Sequence, residues 1–470
     1  MSDRFDVIVL GAGPGGEVAV NMLAKAGKSV ALVEDELIGG ECTNWGCIPS
    51  KTLLRPVELR GEAMRAAGVR TPELDWPELS DYRDWMVSDH DDSQRVAGYE
   101  QRGIPVVKAR GRLVGPGRIE ADGRTLEADA IVVATGAEAV IPPIPGLPDV
   151  AYWTNREVTA TKSIPESVVF IGGGVVAVEL SQFLARFGAR VTIVQGPPRV
   201  AEREDPKVSD LLARILEEDG IELVLGKRAV AVREDGGEKV VELDDGGSAR
   251  GAELVVATGR RPRTKDIGLE TAGVETGPRG IVIDERCRAV DGVWAIGDVT
   301  GGAFTHVAKY QARIAAADIL GWPARADYRA VPRVAFTDPE LAAVGMTEQQ
   351  ARDAGLDVET ATIDLPSSVA RSYTYEREPS GMFSIVVDRE KQVLVGAWAV
   401  APLASEWIHM AVLAIRAEIP VAVLNDTIAQ FPTFSEAFGY ALRDLPDQDL
   451  LMPADFCAHR MMTPEPMQTG

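Results

Sequence analysis

A glycine fingerprint that occurs twice constrains the fold of this chain most. In the first copy, Gly11, Gly13 and Gly16 follow the β-forming residues 5–10 and precede a helix-forming stretch. In such a turn the first glycine permits the tight bend, the second admits a pyrophosphate close to the backbone, and the third packs helix on strand. The N–H groups at the helix start then face the phosphates. The pattern predicts a dinucleotide-binding βαβ unit.

The second copy begins 161 residues later and contains Gly172, Gly174 and Ala177, with alanine at the third position. Each copy is also followed by a hydrophobic strand that ends in Ala-Thr-Gly, at residues 134–136 and 257–259. A repeat on this scale predicts two nucleotide-binding domains. The prolines at residues 142–148 predict a linker between them.

The residue that ends the second strand of each unit differs between the copies. Glu34, 18 residues after Gly16, is placed to accept hydrogen bonds from a ribose. The counterpart is Gln195, whose neutral amide does not repel a 2′-phosphate, and Arg199 can attract one. The second domain is therefore predicted to favour NADPH, with NADH retained as the alternative.

Composition and charge exclude several classes of partner. The 470 residues are 46% hydrophobic and carry a net charge of −22, which argues against nucleic acids and anionic membranes. No apolar run approaches the roughly 20 residues of a membrane span. The N-terminus leads directly into a predicted strand, so no signal peptide is expected. Only four cysteines are present, so a disulfide framework is not expected and the predicted compartment is the cytoplasm.

Two of the cysteines, Cys42 and Cys47, lie close together after the first fingerprint. On a regular helix, residues five apart are separated by about 7.5 Å along the axis. A disulfide tolerates a Cα separation of only about 4.4–6.8 Å. The pair can bridge only across a distorted turn, and residues 44–46 are the candidate. Cys47 would be the first residue of the next helix, whose dipole favours a thiolate. The alternative interpretation is that the two cysteines are small buried residues with no redox role.

The sequence resembles the flavoprotein disulfide reductases, which include dihydrolipoamide dehydrogenase, glutathione reductase, mycothione reductase and mercuric reductase. The similarity covers both fingerprints, both Ala-Thr-Gly segments, and residues 39–51, 295–298 and 332–340. It implies an α/β protein with two Rossmann-like dinucleotide-binding domains plus a C-terminal α+β dimerisation domain. The implied domains are residues 1–148 with 267–330 for FAD, 149–266 for NAD(P), and 331–470 for dimerisation.

The resemblance also implies site residues. Those for FAD are Gly11, Gly13, Gly16, Glu34, Lys51, Gly111, Thr135, Gly136, Asp298 and Ala308. Those for NADPH or NADH are Gly172, Gly174, Ala177, Gln195, Arg199 and Gly259. The catalytic set is Cys42 as interchange thiol, Cys47 as charge-transfer thiol, Lys51 paired with Glu179 beside the flavin, and Glu436. No metal site is expected. The implied partners are a small-molecule electron acceptor and a second copy of the chain.

One position departs from the family pattern. The family carries a histidine in a His-Pro-Thr-x-Ser-Glu stretch that serves the partner subunit's active site, and this chain has Phe431 there, with Glu436 retained. A phenyl ring cannot protonate a leaving thiolate, and general acid catalysis typically contributes about 10²–10⁴-fold. Lipoamide or glutathione turnover should be poor unless Glu436, Tyr440 or a water takes over. His306 and His409 are expected to be structural.

Three functions remain open at this point. The first is a reductase that acts through the cysteine pair, on a small disulfide with a good leaving thiolate. The second is an NAD(P)H-dependent quinone or diaphorase-type reductase, and the third is a flavin-binding assembly component. Mercury reduction is disfavoured, because the tail, polar from about Asp444, has only Cys457 where mercuric reductases have a cysteine pair.

Overall fold

A computed structural model of the chain describes residues 4–451. These residues divide into two compact units. The first unit consists of three segments: the residues up to Pro56, Leu74–Pro198 and Leu216–Asp327. The second consists of Val57–Glu73, Arg199–Ile215 and the residues from Tyr328 onward. Most of the polar tail predicted from the sequence, including Cys457, lies outside the described residues.

The part of the chain before the proline-rich segment contains seven strands and five helices. They are β1 (Arg4–Leu10), α1 (Pro14–Lys25), β2 (Val30–Glu34), α2 (Gly40–Asn44), α3 (Cys47–Arg65), α4 (Trp76–Met86), α5 (Ser93–Glu100), β3 (Val106–Lys108), β4 (Arg112–Gly115), β5 (Arg118–Ala121), β6 (Arg124–Val133) and β7 (Ala137–Ala139).

The middle of the chain continues with eight strands and three helices. They are α6 (Asn155–Ala160), β8 (Ser167–Ile171), α7 (Val175–Arg186), β9 (Arg190–Gln195), α8 (Pro206–Glu218), β10 (Glu222–Leu225), β11 (Ala229–Asp235), β12 (Glu238–Leu243), β13 (Ser248–Gly251), β14 (Glu253–Val256) and β15 (Arg260–Pro262). The remainder of the first unit follows. It consists of β16 (Thr276–Gly277), β17 (Gly280–Ile281), β18 (Arg288–Val290), β19 (Val293–Ala295) and α9 (Thr305–Ile319).

The first unit contains one sheet with a parallel core for each fingerprint. The first sheet has the order β18-β19-β6-β1-β2-β3, with β5 antiparallel to β6, β4 antiparallel to β5 and β18 antiparallel to β19. The second is wholly parallel and has the order β10-β9-β8-β14. Residues Val7, Ile8 and Val9 at the centre of β1 are fully buried. Strands that are covered on both faces have continuous apolar runs of this kind, which explains why β1 and β8 are so hydrophobic.

The second unit contains an antiparallel sheet with helices. From Tyr328 onward its elements are β20 (Pro332–Ala335), β21 (Glu340–Gly345), α10 (Glu348–Asp353), β22 (Val358–Asp364), α11 (Leu365–Ser368), α12 (Arg371–Tyr375), β23 (Met382–Asp388), β24 (Val393–Ala401), α13 (Ala404–Trp407), α14 (His409–Arg416), α15 (Val421–Asn425) and α16 (Ala437–Arg443). The sheet order is β20-β21-β24-β23-β22. In the sequence, residues 383–387 and 393–400 predict two antiparallel strands around a turn at residues 388–392. Strands β23 and β24 form this hairpin. Within the described residues, no helix has the length and apolarity needed to cross a membrane.

Candidate functional site

The two fingerprint turns have nearly the same geometry. Gly11 has φ +106° and Gly172 has φ +108°, in the region where side chains are strained. A Cβ at Gly11 would lie 2.4 Å from the Ala134 carbonyl oxygen, and one at Gly172 would lie 2.4 Å from the Ala257 oxygen. Both positions therefore require glycine, because the strand that ends in Ala-Thr-Gly passes directly beside each turn.

The second and third glycines of the first fingerprint have different surroundings. A Cβ at Gly16 would lie 2.0 Å from the Gly11 carbonyl oxygen, so this glycine is required for helix α1 to approach the turn. A Cβ at Gly13 would meet none of the described atoms within 4 Å, and its φ of −65° and ψ of 177° suit any residue. The protein itself therefore does not require glycine at position 13, whereas a ligand lying against the turn would.

We expect Gly13→Val to fold and to lose at least about nine-tenths of its bound flavin, because the side chain would occupy the space beside the turn. Flavin absorbance per chain and far-UV circular dichroism are the two measurements. The matched control is Gly16→Val, which should damage the fold itself. A fully yellow Gly13→Val protein would contradict the assignment of this turn to a pyrophosphate.

The side chains that end the second strand of each unit occupy equivalent positions. Glu34 Oε2 accepts a hydrogen bond from the Ala12 N–H at 2.6 Å, and Oε1 accepts one from Glu36 N–H at 2.8 Å. Gln195 Oε1 accepts one from the Gly173 N–H at 2.7 Å, in the same place in the second turn. Burial raises the pKa of Glu34 above its usual value, and these N–H donors oppose the change. A carboxylate has about four acceptor sites, so Glu34 keeps capacity for ribose hydroxyls.

Other predicted cofactor residues line or support the first turn. A Cβ at Gly111 would lie 2.6 Å from Leu10 Cδ1, so glycine is required there by packing. Gly15 approaches Ala308 closely, since a Cβ would lie 3.2 Å from the Ala308 carbonyl oxygen, and this brings α9 against α1. The hydroxyl of Thr135 donates to the Arg263 carbonyl oxygen at 2.9 Å.

The remaining predicted cofactor residues are the glycines that end the two Ala-Thr-Gly segments and Asp298, which follows β19. Gly136 and Gly259 have positive φ, and a Cβ at either would meet none of the described atoms within 4 Å. Burial raises the pKa of Asp298, and Arg260, whose Nε lies 4.0 Å from Oδ2, opposes the change. Open space beside the turn, together with the carboxylates of Glu34 and Asp298 to accept from hydroxyls, fits a flavin dinucleotide.

The two cysteines lie on either side of a break between helices. Helix α2 ends at Asn44, Trp45 has the non-helical values φ −137° and ψ 0°, and α3 begins at Cys47. The distortion predicted for residues 44–46 is therefore present. It brings the two thiols close enough that each shifts the pKa of the other.

The electrostatics of the pair are asymmetric. The hydrogen bond from Cys42 lowers the pKa of Cys47 to about 6, and Thr305 and the charge of Lys51 add to this while burial opposes it. The same contact, together with burial, raises the pKa of Cys42. Cys47 is exposed and Cys42 is partly exposed. At neutral pH the pair therefore holds one thiolate, on Cys47, at the start of helix α3.

Two further contacts complete the surroundings of Cys47. Lys51, four residues along α3, forms an ion pair with the buried Glu179, with Nζ 2.7 Å from Oε2. The Thr305 hydroxyl lies 3.4 Å from Cys47 Sγ. Thr305 was not predicted, because it lies 258 residues away along the chain and no spacing rule connects it to the cysteines.

Other sequence-predicted residues have partners of their own. In the second unit, Glu436 Oε2 accepts from the Thr433 N–H at 3.1 Å and caps the following turn. Phe431 is 74% exposed in the single chain. Arg199 Nε forms an ion pair with Asp210 at 3.2 Å. The described residues contain no cluster of His, Cys, Asp and Glu suited to a metal ion.

The second fingerprint has an arginine that the sequence did not predict. The Arg228 side chain lies beside Gly196, since a Cβ at Gly196 would be 3.2 Å from Arg228 Cγ. Its Nε is 3.1 Å from Asp244 Oδ2. Arg228 follows β10 rather than β9, which is why a search of the residues just after Gln195 does not find it.

Comparison with known proteins gives matches over most of the chain. The family model for pyridine nucleotide-disulphide oxidoreductases matches residues 5–313, and the model for the dimerisation domain of these oxidoreductases matches residues 331–442. A mercuric reductase of Staphylococcus aureus is 33% identical over 448 residues, 93% of this chain and 82% of that protein. A dihydrolipoyl dehydrogenase of Thermus scotoductus is 35% identical over 458 residues, 94% of this chain and 98% of that protein.

Solved structures agree with these matches. The HOCl-induced flavoprotein disulfide reductase RclA from Escherichia coli has a TM-score of 0.83 at 28% identity, covering 93% of this chain and 99% of that one. Its Cu(II) complex has a TM-score of 0.82. LpdA from Mycobacterium tuberculosis has a TM-score of 0.83 at 29% identity, covering 94% of this chain and 99% of that one.

Proposed function

Because this chain belongs to the pyridine nucleotide-disulphide oxidoreductase family, whose cofactors are FAD and NAD(P)H, we propose that it is a disulfide reductase for small acceptors. Electrons pass from NAD(P)H through FAD to Cys42 and Cys47, and from there to the acceptor. The acceptor is a disulfide other than lipoamide or glutathione. Membership in this enzyme family argues against the third hypothesis, a flavin-binding assembly component.

The cysteine pair is the observation that carries the proposal. Two thiols in contact across a helix break, with the pKa of Cys47 lowered to about 6, form a nucleophile and a resolving thiolate. A quinone reductase that works at the flavin alone has no use for either cysteine. The second candidate, a quinone or diaphorase-type reductase, rests instead on Phe431, since quinone reduction at the flavin needs no acid at that position.

The thiol steps balance as follows. Cys42 passes its proton to the Cys47 thiolate and, as thiolate, attacks one sulfur of the acceptor disulfide, which forms a mixed disulfide and releases one thiolate. Cys47 then gives this proton to water and, as thiolate, attacks Cys42 Sγ, which releases the second thiolate and forms the Cys42–Cys47 disulfide. The acceptor gains two electrons, the cysteine pair loses two, and each released thiolate takes a proton from water or from a protein group.

Bound FAD supplies the two-electron chemistry between a nicotinamide and the disulfide. We assign residues 1–148 with 267–330 to FAD, residues 149–266 to NAD(P) and residues 331–470 to dimerisation. Glu34 would hold the adenosine ribose, Asp298 would accept a hydrogen bond from a hydroxyl on the flavin side of the cofactor, and Lys51, oriented by Glu179, would supply a positive charge to the flavin. In the second domain, the neutral Gln195 favours NADPH over NADH, because it places no negative charge against a 2′-phosphate.

The absence of the histidine limits the class of disulfides that the protein can reduce efficiently. Without a positioned acid, the first leaving thiolate departs unprotonated, so acceptors with thiols of low pKa are favoured. The test is a screen of purified protein that follows NADPH and NADH oxidation against alkyl disulfides, aromatic disulfides and quinones. We expect aromatic disulfides to be reduced fastest. Turnover with quinones alone would select the second candidate.

The thiolate on Cys47 should be visible directly. In the reduced protein, alkylation of Cys47 by iodoacetamide should follow a pH profile with a midpoint near 6, because the pKa is lowered to about that value and the thiolate is the nucleophile. The rate falls below this pH and is constant above about pH 7. Thr305→Val removes one stabilising hydrogen bond and should raise the midpoint by about one pH unit. Mass spectrometry distinguishes Cys47 from Cys42. An unshifted midpoint in Thr305→Val would show that the 3.4 Å contact does not stabilise the thiolate.

We propose a homodimer formed through residues from about 331 onward, which places Phe431 near Cys42 of the partner subunit. The second unit has exposed apolar side chains that support this, including Ile428 at 94% and Phe431 at 74%. Light scattering at micromolar concentration should give twice the mass of the chain, and a monomer would remove the shared site.

We also propose the cytoplasm as the compartment, where thiols stay reduced.

A further inference from the structure

The loop that carries the two cysteines is in contact with side chains that take no part in the proposed chemistry. The rings of Trp45 and His90 are stacked, with centroids 5.5 Å apart and an interplanar angle of 17°. The guanidinium carbon of Arg156 lies 4.0 Å from the centroid of the same indole. Stacking and cation–π contacts of this kind are individually modest, but both converge on the residue that separates α2 from α3.

The backbone at the break is held as well. The Trp45 carbonyl oxygen accepts from Asn155 Nδ2 at 3.0 Å and from the Thr159 hydroxyl at 3.1 Å. The Asn44 carbonyl oxygen lies 3.1 Å from His90 Nε2, and since a carbonyl can only accept, Nε2 is the donor. Carbonyl groups at the end of a helix have no partner within the helix, so these side chains fix the direction in which the chain leaves α2.

Arg156 is itself held in place by two carboxylates. Its guanidinium donates to Glu36 at 3.1 and 2.9 Å and to Glu41 at 3.0 and 2.6 Å. Glu41 directly precedes Cys42. A planar guanidinium that is bound in this way is pre-organised, so it cannot leave the Trp45 ring without giving up charged hydrogen bonds.

His90 is presented to the loop by an unusual backbone. Ser88, Asp89 and His90 have successive positive φ values of 54°, 50° and 56°. Non-glycine residues adopt such values uncommonly, and a run of them persists only where surrounding contacts fix it. The stacking of His90 on Trp45 and its hydrogen bond to the Asn44 carbonyl oxygen are contacts that can fix this backbone.

We propose that Trp45, held by His90 and Arg156, is a positioning residue for the Cys42–Cys47 pair. By fixing the bend between α2 and α3, it keeps the thiols within reach of each other and thereby favours the disulfide over the dithiol. Loosening the bend lowers the effective concentration of one thiol at the other, so the disulfide becomes easier to reduce. This inference rests on the proposed function, in which the two cysteines form a redox pair.

The experiment equilibrates the FAD-containing protein with dithiothreitol buffers, traps free thiols with an alkylating agent and measures the Cys42–Cys47 disulfide by mass spectrometry. We expect Trp45→Ala to raise the equilibrium constant for reduction by about tenfold, which corresponds to about 30 mV. Trp45→Phe should restore the constant to within about threefold of wild type, because a flat ring can still stack. An equilibrium constant for Trp45→Ala within twofold of wild type would overturn the proposal.

The matched control is Trp76→Ala. Trp76 lies in the same unit, packs against Phe183 and Phe187, and donates to the Lys162 carbonyl oxygen at 3.0 Å. Its loss should lower stability and leave the dithiol equilibrium unchanged. A shift as large as that of Trp45→Ala would show a general packing effect and would refute a specific role for Trp45.

Two further outcomes are distinguishable. If Trp45→Ala does not fold, His90→Ala replaces it as the test, with an expected shift of about threefold in the same direction; no shift in that variant contradicts the proposal. If wild type never forms a Cys42–Cys47 disulfide in the oxidised buffers, the proposed function itself fails. If the disulfide forms normally and its equilibrium constant for reduction is unchanged in both variants, only the positioning role is refuted.

Discussion

Cys42→Ser should abolish disulfide reduction, with a loss of at least about a thousandfold, because a single remaining cysteine cannot form the Cys42–Cys47 disulfide that releases the second thiolate of the acceptor. The same variant should show a long-wavelength thiolate-to-flavin absorbance without added reductant. Its cause is that Cys47 then has no disulfide partner and stays a thiolate, which Thr305, the charge of Lys51 and the start of helix α3 stabilise. Steady-state NADPH oxidation with an aromatic disulfide and the absorption spectrum of the resting protein are the measurements.

Cys47→Ser is the matched control for this result. It should also lose disulfide turnover, but it should not develop the long-wavelength absorbance in any redox state. The double variant decides between the two candidate functions. If it keeps full quinone turnover while neither single variant loses activity on any disulfide, the quinone reductase replaces the disulfide reductase as the conclusion.

Phe431→His should raise the turnover of alkyl disulfides by about ten- to a hundredfold. A restored imidazole can protonate a leaving thiolate whose own pKa is about 8.5, and general acid catalysis typically contributes about 10²–10⁴-fold. The gain should fall short of the upper value, because the side chain at position 431 is largely exposed in the single chain, which leaves an imidazole free to adopt other rotamers. Glu436 already accepts one hydrogen bond, from Thr433, and its other oxygen has capacity to orient the imidazole.

The dependence on the leaving group makes this prediction specific. Aromatic disulfides release thiolates that need no proton, so their turnover should barely change in Phe431→His. Phe431→Leu controls for the loss of the ring and should raise neither activity. Flavin reduction by NADPH, measured by stopped flow, should be the same in all three proteins. An equal gain on both disulfide classes would indicate a change in binding rather than in proton transfer.

The nucleotide-binding architecture was predictable because its determinants are local. Gly11 and Gly172 must turn where a neighbouring strand passes within 2.4 Å of any Cβ, and only glycine permits this, so the pattern is visible in the sequence. The break between Cys42 and Cys47 was predictable for a similar reason, since a regular helix cannot bring residues five apart into contact. The antiparallel hairpin of the last domain followed from two apolar strands around a short turn.

Contacts that join distant segments were not predictable. His90 and Arg156 lie 45 and 111 residues after Trp45, and nothing in their local sequence indicates that they meet one indole ring. Thr305 reaches Cys47 only because α9 begins beside the cysteine loop. The left-handed run at Ser88–His90 contains no glycine, and although Asp and His adopt positive φ more often than most residues, they normally do so singly rather than in a run. These features depend on tertiary packing, for which a single sequence carries no spacing rule.

The equivalence of Glu34 and Gln195 has a consequence for the evolvability of the chain. Both side chains accept a hydrogen bond from the backbone N–H at the same position of their turns, Ala12 at 2.6 Å and Gly173 at 2.7 Å. The backbone interaction is thus the same whether the side chain is an acid or an amide, and only the charge offered to the ligand differs. A Glu–Gln exchange at either position would change the charge beside the turn without removing the hydrogen bond to its backbone. Each half of the chain can therefore change the charge that it presents to its ligand while the other half stays as it is.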